Sequence, residues 1–207
     1  MGLMSKVGFK NVPKAVLGIF WVTLTVNIGN YMTPFMSAFL SSKIQMSPVY
    51  IGMYVSLAGL VFLPGSLVGG RLADVWGKKQ SFICFQLLAA MVTLVNVFVL
   101  HELWTPVLFI LNSLFVAATI PVYNSTIFDM TSESNLKDSL SLFFVGLNIG
   151  NIFSGLIGAA FFSQYYRILF LVEFALKLFS ILLFIWLVHF HGAKTARHYT
   201  PNLQNIL

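Results

Sequence analysis

The sequence predicts an all-α membrane protein, and three observations lead to that fold class. Hydrophobic residues make up 58% of the 207 residues and charged residues only 9%, against about 25% charged residues in a typical soluble domain. The mean hydropathy is +0.87. Apolar stretches of about 20 residues, the length that crosses a hydrocarbon core, recur along the chain. These proportions exclude a soluble enzyme and a soluble nucleic-acid-binding protein.

Six apolar runs between charged and turn residues are predicted to be transmembrane helices. They cover residues 13–40, 48–70, 80–100, 104–128, 139–163 and 168–190. The first run is much longer than the about 7 to 15 apolar residues of a signal peptide, so we expect a retained helix there. The expected domains are an N-terminal segment at 1–12, a six-helix transmembrane domain at 13–190 and a polar tail at 191–207.

The basic residues predict the orientation of these helices. With a cytoplasmic N-terminus, nine of the 12 fall on the inside, namely Lys6, Lys10, Lys14, Arg71, Lys78, Lys79, Lys137, Lys194 and Arg197. Only Lys43 and Arg167 fall outside, and Lys177 lies within a span. This asymmetry is the positive-inside pattern, so both termini are expected in the cytoplasm. The net charge of +6 then reports topology, and no nucleic-acid partner is expected.

No residue set typical of catalysis or metal binding stands out. Cys84 is the single cysteine, which excludes an intrachain disulfide. His189, His191 and His198 lie close together without a nearby carboxylate, so we expect a solvated cluster rather than a metal site. We therefore expect no catalytic residues, no metal, no cofactor and no enzymatic activity.

Residues 70–79 read GRLADVWGKK and combine glycine with charges of both signs in a chain that is otherwise almost free of charge. Gly77 permits a turn with positive φ, and Asp74 at a membrane boundary needs a cationic or helix N-terminal partner. The run is similar to the loop signature of the major facilitator superfamily (MFS), G-x-L-A-D-[RK]-x-G-[RK]-[RK], which follows that family's second helix. Val75 stands where the family usually has a basic residue. Without the resemblance, the run would be a basic turn that anchors topology.

The resemblance implies the N-terminal six-helix half of a twelve-helix secondary transporter, built as two inverted three-helix repeats. It implies movement of a small organic solute by alternating access, with drug or metabolite efflux as one such activity, in the cell membrane. The tail at 191–207 would begin the family's central loop. The residues that it assigns to a conformational latch between the two halves are Gly70, Arg71, Asp74, Gly77, Lys78 and Lys79. Residues 121–158 also resemble facilitator sequences, without the helix 4 signature of proton-driven drug exporters.

Uncharged polar residues inside the predicted spans are candidates for lining a solute cavity, because lipid disfavours unsatisfied polar side chains. The candidates are Asn27, Asn30, Tyr31, Asn112, Thr119, Asn148 and Asn151. The alternative is that these amides only join helices. Small residues at 146, 150, 154 and 158 share one helix face and predict close packing against a neighbour.

Glu173 and Lys177 are the ionisable residues deep within a predicted span, spaced i, i+4. We expect an ion pair in which each charge neutralises the other. A proton or ion relay is the alternative.

The expected partners are a small-molecule solute, the lipid bilayer and a second six-helix half, supplied by a separate chain or by a homodimer. Two other functions stay open. One is a truncated fragment that does not transport, and the other is a membrane scaffold or assembly protein that binds another membrane protein.

Overall fold

The computed structural model describes residues 12–99 and 104–188, and every regular element in these two ranges is an α-helix. The helices are α1 (Lys14–Ile28), α2 (Met36–Ser42), α3 (Pro48–Leu60), α4 (Phe62–Trp76), α5 (Lys78–Phe98), α6 (Trp104–Met130) and α7 (Glu133–Leu187). The predicted all-α class is confirmed. The predictions for Lys6, Lys10, Lys194, Arg197 and the three histidines lie outside the described residues.

Four stretches among the described residues are long and apolar enough to cross a membrane. They are Pro48–Trp76, Lys78–Phe98, Trp104–Met130 and Glu133–Leu187, and Lys14–Ile28 is a shorter apolar helix. The sequence predicts six spans, and the structure differs at the first of them, which is broken. The fifth and sixth predicted spans both lie in α7, on either side of a non-helical residue, Tyr165.

The first predicted span, 13–40, is interrupted between α1 and α2. Gly29 ends α1, and Pro34 lacks the backbone N–H of a helical residue while its ring obstructs the carbonyl four positions earlier. A continuous first helix was therefore a wrong expectation, although both residues that break it are visible in the sequence.

The long helix α7 reverses direction at Tyr165, whose backbone is not helical (φ −120°, ψ 26°). We call residues 133–164 its first arm and residues 166–187 its second arm. The first arm runs parallel to the first predicted span, since Gly146 contacts Phe20, Gly150 contacts Asn27 and Gly158 contacts Phe35. The second arm runs antiparallel to it, since Leu176 contacts Gly29 and Leu187 contacts Gly18. The two arms are thus antiparallel to each other on either side of α1.

Aromatic side chains fill the core towards both ends of the bundle. Phe82 and Phe184 stack with ring centroids 4.0 Å apart, and Tyr123 packs edge-on against Phe82 at 5.3 Å. At the other end, Phe39 contacts Phe109, Phe162, Tyr166 and Phe170. The first cluster joins α5 and α6 to the second arm, and the second cluster joins α2 to α6 and to both arms of α7.

Close backbone approach joins α4 to α6 and α1 to the first arm. A Cβ added at Gly65 would lie 2.6 Å from the Leu114 carbonyl oxygen, and one added at Gly150 would lie 2.5 Å from Cβ of Asn27. Larger side chains would separate these helices. The packing expected for the small residues of the first arm is confirmed at Gly146, Gly150 and Gly158.

Candidate functional site

The first arm and the interrupted first span form a seam of uncharged amides. Asn27 Nδ2 donates to the Thr23 carbonyl oxygen at 2.8 Å, and Ser154 Oγ donates to the Asn30 carbonyl oxygen at 2.6 Å. Within the described residues, Asn30 Oδ1 and Thr23 Oγ1 are buried and have no hydrogen-bond partner. Buried polar atoms of this kind retain capacity for a ligand or an ordered water.

Two further amides flank this seam on the first arm. Asn151 directly follows Gly150, and Asn148 precedes Asn151 by three positions, so the two share one helix flank. Both are exposed. Asn148 Nδ2 donates to the Phe144 carbonyl oxygen at 2.7 Å. We call Asn27, Asn30, Asn148 and Asn151 the amide seam.

The other predicted cavity residues lie inside the bundle. Tyr31 is 1% exposed, Asn112 1% and Thr119 3%. Thr119 Oγ1 donates to the Val116 carbonyl oxygen at 2.8 Å. Tyr31 and Asn112 belong to a different network, centred on the buried charges, which separates them from the amide seam.

Glu173 and Lys177 form an ion pair of 2.7 Å in the second arm, with side chains 0% and 3% exposed. Lys177 Nζ also donates to Thr93 Oγ1 and to Asn112 Oδ1, each at 2.8 Å. Glu173 Oε2 accepts from the backbone N–H of Tyr31 at 2.9 Å and of Met32 at 2.8 Å. The network joins the first predicted span, α5, α6 and the second arm.

The glycine and charge run at 70–79 covers the end of α4 and the start of α5. Gly77 adopts φ +93° between the two helices, which favours glycine. Lys78 Nζ donates to the Ser125 carbonyl oxygen at 2.7 Å and forms an ion pair with Asp129. Gly70 lies near Pro121.

The remaining charges of this run point outward. Arg71, Asp74 and Lys79 are exposed, and the described part of the chain offers none of them a hydrogen bond or an ion pair. Lys78 therefore joins α5 to α6, while the side chains of Arg71 and Asp74 are exposed on the surface of the bundle.

Three contacts at these sites escaped the sequence reasoning. Asp129 pairs with Lys78, Ser154 bonds the Asn30 carbonyl, and Thr93 accepts from Lys177. The position of Asp129 at the end of the fourth predicted span was a signal that could have suggested its pairing with Lys78. The other two depend on how distant segments pack.

The described residues contain no cluster of three His, Cys, Asp or Glu side chains suited to a metal ion.

Comparison with known proteins identifies the family of this chain. The sequence profile of the Major Facilitator Superfamily matches residues 19–202. The chain belongs to this superfamily. An uncharacterized MFS-type transporter, YqjV of Bacillus subtilis (strain 168), is 26% identical over 134 residues, which cover 63% of this chain and 32% of the relative.

This MFS chain thus spans about a third of the length of the curated relative it matches. Membership and the apolar helices make it an integral, multi-pass membrane protein of a transporter family.

Proposed function

We propose that this chain forms one six-helix half of a secondary transporter that moves a small organic solute by alternating access. The observation that carries the proposal is the amide seam. It presents hydrogen-bonding groups without net charge beside helices that pack closely enough to move as one body. Glu173 and Lys177, deep in the second arm, pair with each other. The amide seam is therefore the set of polar groups that we propose binds solute.

The proposed topology has six crossings. They are α1 with α2, α3 with α4, α5, α6, and the two arms of α7. Lys14, Arg71, Lys78, Lys79 and Lys137 then lie at the cytoplasmic end, and Lys43 and Arg167 lie at the outer end. The positive-inside rule favours this orientation, with both termini in the cytoplasm of a cell-membrane protein.

The proposed second half is a separately supplied six-helix unit or a second copy of this chain. Family membership supports the need for such a half. The exposed Arg71 and Asp74 would meet that half, as the latch of the family resemblance requires.

The proposed solute is uncharged or amphipathic, with drug or metabolite efflux as the direction we would test first. Amide side chains bind hydroxyl, amide and carbonyl groups, whereas a strongly charged solute would need a countercharge. Within the described residues, the amide seam contains none.

The test is transport of radiolabelled chloramphenicol, an uncharged amphipathic molecule, by the protein isolated from its host membrane with any accompanying half and placed in liposomes. Asn27→Leu and Asn151→Leu should each reduce uptake about tenfold, since each removes a polar partner of the solute. Asn135→Leu, at the start of α7, is the matched control and should leave transport unchanged.

Other outcomes would overturn the proposal. Transport restricted to strongly charged solutes would contradict the solute class. A protein that binds a membrane partner and moves no solute, even with a second half supplied, would instead be a scaffold or a non-transporting fragment.

A further inference from the structure

The interruption of the first predicted span leaves backbone groups that a continuous helix would satisfy. Pro34 cannot donate to the Asn30 carbonyl, and the N–H groups of Tyr31 and Met32 follow the end of α1. At membrane depth such groups must find partners within the protein, because lipid offers none.

The two arms of α7 supply those partners. Ser154 of the first arm donates to the Asn30 carbonyl oxygen at 2.6 Å. Glu173 of the second arm accepts from Tyr31 N–H at 2.9 Å and from Met32 N–H at 2.8 Å, both through Oε2. Tyr31 N–H is shared with the Gly29 carbonyl oxygen at 3.0 Å, so Met32 N–H depends most on Glu173.

The other carboxylate oxygen explains how a charge is tolerated there. Glu173 Oε1 accepts from Lys177 Nζ at 2.7 Å. Lys177 Nζ donates its other two hydrogen bonds to Thr93 and Asn112. A buried pair with all its hydrogen bonds made can persist, whereas an isolated buried charge is costly. Lys177 therefore supplies the countercharge at one oxygen of Glu173, while the other oxygen accepts the two backbone hydrogen bonds.

We propose that Glu173 is a positioning residue, which fixes the interrupted backbone at residues 30–32 and thereby orients Asn27 and Asn30 of the amide seam towards solute. The effect on solute rests on the proposed function, but the effect on the backbone does not. The role differs from that of a relay, because it needs a hydrogen-bond acceptor at position 173 and no proton movement.

Two double variants separate the acceptor from the charge. Both Glu173→Gln with Lys177→Met and Glu173→Met with Lys177→Met remove the ion pair, but only the first keeps an acceptor oxygen at position 173. Apolar replacement of both partners of a buried pair is often tolerated, so the two proteins form a matched comparison.

The first readout is amide hydrogen exchange at Met32, measured in the protein isolated with any native second half. We expect exchange to accelerate about tenfold or more in the Glu173→Met double variant, because the Met32 N–H loses its hydrogen-bond acceptor. It should stay within about threefold of wild type in the Glu173→Gln double variant. Equal rates in the two variants would overturn the proposal.

A measurement on the unmodified protein covers the case in which the Glu173→Met double variant does not fold. Met32 N–H should be protected as strongly as amides inside α1, although it lies outside a helix. Exchange of Met32 about tenfold faster than the amides of α1 would overturn the proposal without any variant.

The second readout is chloramphenicol transport. The Glu173→Met double variant should raise KM about tenfold with little change in kcat, and the Glu173→Gln double variant should recover most of that loss. The expected difference in Met32 exchange could be observed while neither the wild type nor any variant moves solute. In that case the proposed function fails and the backbone role of Glu173 stands.

Discussion

The two ion pairs of the described chain occupy opposite environments. Lys78 and Asp129 pair at helix ends, with side chains 17% and 62% exposed, whereas Glu173 and Lys177 pair with side chains 0% and 3% exposed. An exposed pair contributes about 0–1 kcal/mol to folding. A buried pair contributes little net stability when complete, yet breaking it is expensive. The comparison indicates that the buried pair organises structure, while the exposed pair can be exchanged at little cost.

The strongest test of this contrast breaks the buried pair from one side. Lys177→Met leaves the Glu173 carboxylate buried without its countercharge, which should lower the free energy of unfolding by about 3–5 kcal/mol. Thermal unfolding in detergent measures the loss. The double variant Glu173→Gln with Lys177→Met, which keeps an acceptor for the Met32 N–H, should recover most of it, and failure to recover would mean that the pair itself stabilises the fold.

The next effect concerns a neutral member of the buried network. Asn112→Leu removes one of the hydrogen-bond acceptors of Lys177, so we expect a loss of about 1.5–3 kcal/mol in the same assay. Asn148→Leu replaces an exposed amide and should change stability by less than about 0.5 kcal/mol. Similar losses in both variants would remove the distinction between network and seam.

A smaller change is expected when the exposed pair is broken. Lys78→Met should lower the free energy of unfolding by at most about 1 kcal/mol, because Asp129 regains water when its partner is gone. A loss comparable with that of Lys177→Met would show that the Lys78 contact is much less hydrated than its exposure indicates.

Salt should produce the smallest effect and act on one pair only. Raising the ionic strength from about 0.1 M to 1 M shortens the screening length from about 10 Å to 3 Å. It should therefore reduce the difference in unfolding temperature between wild type and Lys78→Met. The difference between wild type and Lys177→Met should stay constant, and a parallel decrease would argue that water reaches Glu173.

The sequence predicted the parts of this comparison that depend on local spacing. Glu173 and Lys177 pair as their i, i+4 spacing indicates, and the glycines of the first arm pack closely as their common face indicates. Partners far apart in the chain were not predictable in this way. Asn112 was predicted to line a cavity. Its contact with Lys177 could not be predicted, because that contact depends on how α6 and the second arm pack.

The broken first helix shows a second limit of sequence reasoning. The apolar run at 13–40 predicted one helix, and Gly29 and Pro34 alone did not outweigh it. The interruption becomes favourable because Ser154 and Glu173 satisfy the exposed backbone. The stability of the interrupted conformation therefore depends on the assembled bundle, and a local sequence pattern could not predict it.

The dependence of residues 30–32 on Ser154 and Glu173 also has a consequence for biosynthesis. The ribosome completes the first segment long before it reaches positions 154 and 173, so the interrupted conformation lacks its hydrogen-bond partners while the early segments enter the bilayer. The first segment must then reach its final shape late, after the two arms of α7 have inserted. Insertion of this protein is accordingly expected to include a rearrangement of a segment already in the membrane, rather than a strictly sequential addition of finished helices.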